Sequence, residues 1–336
     1  MTVNVGVIGV GLIGEDHVRR LTRVLSGGAV VAVADVDRGR AERVAAALGG
    51  PRVLAVGEDV IGDPAVDAVL VASWGPTHEG YVLGCIAAGK PVFCEKPLAT
   101  TQGACLRIVD AEAARGARLV QVGFMRRYDP AYRALKAAVD GGAIGAPLLL
   151  HAAHRNPSVP GHYVDDMALN DTMVHDADVA RWLLAEEIAA VSVLTPRRNG
   201  RADLRDPLLV LFRTESGVLV DVEVSMNVAY GYDIRGEVVG ERGVAGLAEG
   251  NPVVVKCRGR FEGRVPADWR ERFMRAYDLE LQAWLEAAAL GKATGPSAWD
   301  GYAATAVADA ALASVGTGAW TPVKLRERPA LYATGD

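Results

Sequence analysis

The chain has 336 residues, of which 50% are hydrophobic and 23% charged, and its formal net charge is −5 at pH 7. This length predicts about two domains, and the mild charge, with arginines scattered among acids, excludes a basic nucleic-acid-binding surface. The longest apolar runs are too short to span a bilayer, and we expect no export signal. The four cysteines lack the spacing of a metal or disulfide framework, so we expect a reduced, cytoplasmic protein.

A glycine-rich turn follows the first predicted strand. The apolar run 3–10 is typical of a strand buried on both faces of a parallel sheet. It runs into Gly9-Val10-Gly11-Leu12-Ile13-Gly14, a helical pattern follows, and a second apolar strand, 29–34, ends at Asp35. Asp35 lies 21 residues beyond Gly14, the spacing at which an acid reaches a ribose. The context therefore predicts a dinucleotide site whose pyrophosphate faces the helix N-terminus.

Asp35 favours NAD as the cofactor, because a carboxylate accepts from both ribose hydroxyls and repels a 2′-phosphate. Arg38 and Arg40 follow closely and leave NADP as the alternative. Helices and strands continue to alternate up to residue 122, which predicts a doubly wound parallel sheet with ligands at the carboxyl ends of its strands. The predicted cofactor contacts are Gly9, Gly11, Leu12, Ile13, Gly14, Asp35, Val36, Ser73, Trp74, His78, Glu95 and Lys96.

Lys96 is the most informative polar residue at the carboxyl ends of these strands. It ends an apolar strand and precedes a proline, which forces an extended backbone and could allow a cis bond. A lysine held there is predicted to point toward the ligand. The alternative is a surface lysine paired with Glu95.

The pattern changes after Tyr128, so we predict an NAD-binding Rossmann domain over 1–125 and an α+β substrate-binding and oligomerisation domain over 126–336. Predicted strands of a large, mostly antiparallel open sheet cover 147–154, 190–195, 208–214, 217–226, 234–240, 244–247 and 253–257. Long amphipathic helices are predicted over 268–290 and 298–315. A large open sheet needs cover on both faces, so we expect a homo-oligomer.

Residues 170–178 predict the first two turns of a helix in this second domain. Asp171, His175 and Asp178 fall at i, i+4 and i+7 and would share one face. Such a stripe can be a solvated surface, half of a metal site together with His154, or acid–base machinery.

Several runs together resemble the glucose–fructose oxidoreductase and inositol dehydrogenase family, over essentially the whole chain. The glycine motif and Glu95-Lys96-Pro97 mark the broad family, and the narrower matches mark its inositol-oxidising members. The matching runs are 9–14, 73–76, 92–101, 123–129, 154–157, 171–172, His175, 230–234 and 299–302. The family's fold matches the two domains inferred above, and its members form tetramers through their sheets.

The resemblance implies an enzyme that oxidises a cyclic polyol, myo-inositol, to its 2-ketone with NAD. It assigns Lys96, Asp171 and His175 to catalysis, and it implies that the polyol pocket is lined by Arg126, His154, Asp178 and Tyr232. The chain has Asp176-Ala177 where the family leads us to expect a glutamate and a larger apolar residue. Because neither residue lies on the predicted catalytic face, we expect this departure to affect packing more than chemistry.

Three alternatives remain from sequence. The same chemistry could act on scyllo-inositol, an inosose, glucose or another cyclic sugar, since the catalytic residues would serve equally. The fold also occurs in non-enzymatic, nucleotide-responsive sensors, which need not keep Lys96, Asp171 and His175. A metal enzyme is the third alternative, but a cation in the pocket would be repelled by Lys96, so no metal is predicted. A nucleic-acid or membrane partner is not expected.

Overall fold

The computed structural model describes residues 2–197, 204–248, 255–257 and 260–333. The chain divides into two compact units. The first comprises Met1–Met125, Tyr277–Thr305 and Arg326–Asp336, and the second comprises Arg126–Ala276 and Ala306–Leu325. None of the helices in the described ranges is long and apolar enough to cross a lipid bilayer.

The first unit is built on a six-stranded parallel sheet in the order β3-β2-β1-β4-β5-β6. Its strands are short and apolar, and the central ones are fully buried because helices cover both faces. The strand order reverses beside β1, which puts a ligand-binding position at the carboxyl ends of β1 and β4. The strands are β1 (Val3–Ile8), β2 (Gly28–Ala34), β3 (Arg52–Val53), β4 (Ala68–Val71), β5 (Val92–Cys94) and β6 (Val120–Val122).

Two of the connecting helices begin where the sequence supplies a capping side chain. Asp37 accepts from the Arg40 amide at the start of α2, and Thr101 accepts from the Ala104 amide at the start of α5. Gly89 and Gly116, both left-handed, end α4 and α5. These helices are α1 (Leu12–Arg23), α2 (Arg38–Ala47), α3 (Gly57–Gly62), α4 (His78–Ala88) and α5 (Gln102–Arg115).

Two segments that the sequence placed in the second domain belong to the first unit. Leu281, Trp284, Leu285 and Ala288 lie in the same core cluster as β1 and α1, and Trp284 is 0% exposed. The hydroxyl of Tyr332 donates to the buried Glu112 carboxylate at 2.6 Å. Burial of these side chains in the core of the first unit is the physical reason that both segments join it.

The second unit contains a seven-stranded sheet in the order β12-β11-β7-β10-β9-β8-β15. Strands β7 and β10 run parallel, and the other neighbours in the sheet are antiparallel. The predicted fold class, a doubly wound domain followed by a mostly antiparallel sheet, is confirmed. The strands are β7 (Pro147–Arg155), β8 (Ile188–Leu194), β9 (Leu208–Thr214), β10 (Leu219–Ser225), β11 (Asp233–Gly240), β12 (Gly243–Gly246) and, after the pair described next, β15 (Thr321–Pro322).

Strands β13 (Val255–Cys257) and β14 (Arg260–Glu262) form a separate two-stranded sheet. The prediction that 253–257 extends the large sheet was therefore wrong for 255–257, and 253–254 lie outside the described residues. The physical reason is that β13 pairs with β14, the strand that directly follows it in the chain, as in a hairpin.

The remaining helices are α6 (Pro130–Asp140), α7 (Val174–Leu184), α8 (Trp269–Ala288) and α9 (Ala298–Ser314). A π-helical turn, Ala168–Thr172, precedes α7, and the Met173 amide donates to the Ala168 carbonyl at 3.0 Å. The prediction that residues 170–178 form two regular α-helical turns was therefore wrong, because Asp171 lies in the π turn. The stripe is also not a solvated surface, since His175 is 8% exposed and Asp178 is 1% exposed.

Candidate cofactor and substrate sites

The glycine motif forms a tight turn between β1 and α1. Gly9 has φ +88°, and a Cβ there would lie 2.5 Å from the Ser73 amide nitrogen. A Cβ on Gly14 would lie 2.0 Å from the Gly9 carbonyl oxygen, so both positions require glycine. By contrast, a Cβ on Gly11 would meet only the Arg40 guanidinium, at 3.8 Å, and Gly11 is the N-cap of α1. This open approach to the helix N-terminus fits a pyrophosphate.

Asp35 lies beside this turn, where the sequence predicted it. Its Oδ2 accepts from the Val10 amide and its Oδ1 from the Asp37 amide, both at 2.8 Å. The Arg40 guanidinium lies 3.8 Å from Oδ1. A cleft of about 580 Å³ adjoins these groups and is lined by Val10, Gly11, Leu12, Glu15, Arg40, Arg43, Val44 and Ala47. The carboxylate is thus held in place by backbone donors at the edge of a cleft large enough for a ribose.

Exposed apolar side chains surround the same strand ends. Leu12 is 65% exposed, Trp74 is 78% exposed and Val36 is fully exposed. Large apolar side chains left in water near a cleft are typical of a ligand-binding surface. These three residues were predicted as cofactor contacts, and their exposure fits that prediction.

His78 is buried, in contrast to these three residues. Its two ring nitrogens lie 2.8 Å from the Pro97 carbonyl and 2.9 Å from the Ser73 carbonyl, so it links the loops that follow β4 and β5. Burial lowers its pKa, which favours a neutral ring that donates from one nitrogen. Its predicted contact with the cofactor stays a prediction.

Lys96 follows β5 and is joined to Pro97 by a cis peptide bond. Glu95 is 7% exposed, and its Oε2 accepts from the Lys96 amide at 3.2 Å. Its other carboxylate oxygen lies 2.7 Å from Nε2 of His17. The Glu95 carboxylate therefore bonds to α1 and to the backbone of Lys96.

In the second unit, three of the predicted substrate contacts belong to one buried network. Arg126, His154 and Tyr232 are 1%, 3% and 3% exposed. Arg126 Nη1 donates to Asp176 Oδ1 at 2.5 Å, and Nδ1 of His154 lies 2.8 Å from Asp176 Oδ2 and 2.8 Å from Arg126 Nη2. The expectation that Asp176 affects packing more than chemistry stays a prediction, but its carboxylate contacts two of the predicted pocket residues.

Asp176 is negatively charged in this network. Burial alone would raise its pKa, but the Arg126 guanidinium and His154 hold that pKa below its ordinary value. Nδ1 of His154 lies between a carboxylate that accepts and a guanidinium that donates, so it can donate to Asp176 in one tautomer or accept from Arg126 in the other. Nε2 of His154 lies 3.3 Å from the hydroxyl of Tyr232.

Asp178 is engaged by a different arginine. Its carboxylate accepts from Arg127 Nη2 at 2.5 Å and from Arg127 Nε at 3.0 Å, a bidentate pair. The predicted role of Asp178 in substrate binding stays a prediction.

His175 lies at the start of α7, and Asp171 lies in the π turn that precedes it. The His175 ring lies 6.3 Å from the His154 ring, centroid to centroid, at an interplanar angle of 55°. Asp171 is half-buried in the π turn, and Thr172 beside it lies 2.6 Å from the Tyr163 hydroxyl. Burial, together with the Asp171 charge, raises the pKa of Tyr163, so Tyr163 stays neutral at physiological pH. In residues 2–197, 204–248, 255–257 and 260–333, no cluster of three or more His, Cys, Asp or Glu could hold a metal ion.

This fold and these strand-end residues are those of an NAD-binding oxidoreductase. Residues 3–124 match the model of the oxidoreductase family with an NAD-binding Rossmann fold, and residues 132–246 match the C-terminal domain of the GFO/IDH/MocA family. The chain belongs to the GFO/IDH/MocA family, which confirms the resemblance inferred from sequence. The predicted NAD cofactor is likewise confirmed.

Relatives match over the full length of the chain. It is 54% identical to inositol 2-dehydrogenase 3 of Saccharopolyspora erythraea, over 99% of this chain and 98% of that protein. It is 53% identical to inositol 2-dehydrogenase of Burkholderia cenocepacia, over 99% of both chains. The crystal structure of myo-inositol dehydrogenase from Lactobacillus casei with NAD(H) and myo-inositol superimposes with a TM-score of 0.96, at 38% identity, over 99% of this chain and 100% of the other.

Proposed function

We propose that the protein oxidises myo-inositol with NAD to the 2-ketone, scyllo-inosose. The observation that carries the proposal is the full-length match to a myo-inositol dehydrogenase solved with NAD(H) and myo-inositol. Curated relatives with 53–54% identity, named inositol 2-dehydrogenase, support the same substrate. The glycine turn, the cleft beside Asp35 and the exposed Leu12 and Trp74 fit the cofactor.

When bound, NAD supplies the hydride acceptor at its nicotinamide C4. The proton of the reacting hydroxyl must then pass to a base, and His175 is the candidate because an imidazole titrates near neutral pH. A positioned base contributes on the order of 10²–10⁴ in rate. Asp171 would orient the imidazole and stabilise its charged form, and Lys96 would favour alkoxide character on the substrate oxygen.

A ring that carries a hydroxyl on every carbon needs both donors and acceptors from its pocket. We assign Arg126, His154, Asp178 and Tyr232 to this role. Arg126 can only donate, Asp178 can only accept, and His154 and Tyr232 can do either. Support comes from the buried network, in which three of the four are already held by one another and by Asp176.

The test is turnover with myo-inositol in variants of the proposed catalytic residues. We expect Lys96→Ala and His175→Ala each to lose most of kcat while NADH still binds, as measured by NADH fluorescence. Lys292→Ala, an exposed lysine of the same unit as Lys96, is the matched control and should keep full activity. Turnover at the wild-type rate in either variant would remove that residue from the mechanism.

A second candidate substrate is scyllo-inositol. The structure of apo scyllo-inositol dehydrogenase from Lactobacillus casei superimposes with a TM-score of 0.88, at 25% identity, over 96% of this chain and 98% of the other. Initial rates of NADH formation across inositols and aldoses would separate the two. Absence of NADH formation with every polyol would instead favour a non-enzymatic sensor.

We also propose that the second unit's large sheet mediates formation of a homotetramer. Leu219 is exposed and Asp221 and Glu223 are partly exposed, so alternate residues of β10 face one open side of the sheet. On this face Leu219 lies beside Leu149 and Arg213. An apolar and charged sheet face of this kind suits a self-complementary interface. Light scattering of the purified protein, and of Leu219→Arg, tests the proposal. A wild-type monomer would overturn it.

We also propose that the protein is located in the cytoplasm. Cys85 and Cys94 are free and buried thiols, as expected of a protein that remains in a reducing compartment. Fractionation of cells that produce the tagged protein would test this location.

A further inference from the structure

His17 is a buried titratable residue that the proposed chemistry does not use. It lies on α1, the helix whose N-terminus follows the glycine turn, and it is 0% exposed. Its ring packs edge-on against Phe93, with centroids 5.8 Å apart, and contacts Tyr277 at the same distance. An imidazole enclosed by aromatic rings has few hydrogen-bond partners for its two nitrogens. Loss of a polar contact would therefore leave a buried nitrogen without a partner, which costs free energy.

The only polar contact of the His17 ring among the described residues is with Glu95. Nε2 lies 2.7 Å from Glu95 Oε1, and Nδ1 has no hydrogen-bond partner in the described part of the chain. An Nδ1 without a partner favours the tautomer that carries its proton on Nε2, because a bare ring nitrogen is less costly to bury than an unsatisfied N–H. His17 therefore donates to Glu95.

The Glu95 carboxylate is held by two hydrogen bonds. Oε1 accepts from His17, and Oε2 accepts from the Lys96 amide at 3.2 Å. Because one carboxylate makes both bonds, a shift of Glu95 away from His17 also changes its contact with the Lys96 backbone. The hydrogen bonds thus form a chain from α1 through Glu95 to the backbone of Lys96.

We propose that His17 is a positioning residue for Lys96: through Glu95 it joins the helix that receives the cofactor pyrophosphate to the backbone that carries the lysine. The inference rests on the proposed role of Lys96. One consequence is that small movements of α1 on cofactor binding are transmitted to the lysine. A second is that loss of the His17 donor lets Glu95 and the Lys96 backbone shift, which lowers turnover more than cofactor affinity.

The test compares two polar replacements of similar chemistry. Glutamine can present its amide N–H close to the position of Nε2, whereas asparagine is too short to reach Glu95. We expect His17→Asn to lower kcat by about 10²-fold, the typical effect of a displacement of about 1 Å at a reacting group. We expect the dissociation constant of NADH to change little. His17→Gln should recover most of kcat, and a role in folding alone would not produce this recovery together with intact NADH binding.

Glu95→Gln provides a second route if His17→Asn does not fold. The amide of this variant keeps the size of the side chain, but in either orientation its NH₂ group would face another donor, the Lys96 N–H or the His17 Nε2–H, so kcat should fall. Full turnover in His17→Asn or in Glu95→Gln would overturn the inference, as would equal losses in the Asn and Gln variants of His17. These outcomes differ from failure of the proposed role of Lys96, which would appear as full turnover in Lys96→Ala. They also differ from failure of the proposed function, which would appear as absence of NADH formation by the wild type with every polyol.

Discussion

Replacement of Asp176 by asparagine tests the buried network of the second unit most directly. Asp176 and Arg126 are 2% and 1% exposed, so the variant leaves the guanidinium buried without its carboxylate. Loss of one partner of a buried ion pair costs about 3–5 kcal/mol. In a unit of this size each kcal/mol lowers the melting temperature by about 2–4 °C, so we expect a fall of about 6–20 °C. Thermal unfolding followed by circular dichroism measures this fall.

The matched control is Asp140→Asn in the same unit. Asp140 is paired with Lys136 one helical turn away and its side chain is 55% exposed, so its loss should cost only about 0.3–0.5 kcal/mol. The double variant Arg126→Met/Asp176→Leu should melt above Asp176→Asn, because it leaves no buried charge behind. An Asp176→Asn protein that melts together with the wild type would refute the reasoning.

The difference in stability between the wild type and Asp176→Asn should depend on pH, and its sign follows from the pKa of Asp176. The pKa of Asp176 is lowered in the folded protein from its ordinary value of 3.8. The pair's contribution to stability is therefore fully present above 3.8 and is lost as the pH falls through the lower folded value. The gap in stability between wild type and Asp176→Asn should persist from neutral pH to about 4 and narrow only below it.

Three further variants test other contacts. Asp35→Ser should weaken the preference for NAD over NADP, because the carboxylate that repels a 2′-phosphate is gone; an unchanged ratio of initial rates would show that Asp35 does not contact the ribose. Tyr332→Phe removes the hydroxyl that donates to buried Glu112 at 2.6 Å, and it should cost about 1.5–3 kcal/mol in urea unfolding. Burial raises the pKa of Glu112 above 4.5, so its stabilising contribution is full below 4.5 and is lost as the pH rises through the folded value. The free energy of unfolding of Glu112→Gln, relative to that of the wild type, should therefore rise between pH 4 and pH 7, as measured by urea unfolding at both pH values. If this difference between variant and wild type is the same at both pH values, the raised pKa of Glu112 is contradicted.

The sequence predicts the first unit's sheet well because the determinants of its strands and turns are local. The glycine turn requires the positive φ of Gly9 and the missing Cβ of Gly14, and both requirements are visible in the motif itself. Strands buried on both faces read as continuous apolar runs, and capping residues such as Asp37 and Thr101 stand directly before their helices. The position of Asp35 beside the glycine turn is predicted from its spacing to Gly14 in the sequence alone.

Other features depend on tertiary context that the sequence does not display. An amphipathic pattern predicts the helix over 269–288, but it does not say which core receives Leu281 and Trp284. The π turn before α7 includes a hydrogen bond from the Met173 amide to the Ala168 carbonyl, five residues back, and a residue pattern with period 3.6 cannot reveal it. Asp171 therefore lies in the π turn, and His175 and Asp178 lie in α7.

His17 and Asp176, which sequence reasoning did not assign to the site, have the same relation to residues that it did assign there. Each is the buried partner of a predicted site residue: His17 of Glu95, 78 positions away, and Asp176 of Arg126, 50 positions away. Predicted site residues were found by their place at a strand end or in a motif, whereas a buried partner carries no local signal and is brought close only by the fold. Because such partners fix the rotamers and tautomers of the groups they contact, they determine how well a site is organised before substrate arrives. Substitutions at His17 and Asp176 should therefore distinguish members of this family that share every recognisable motif.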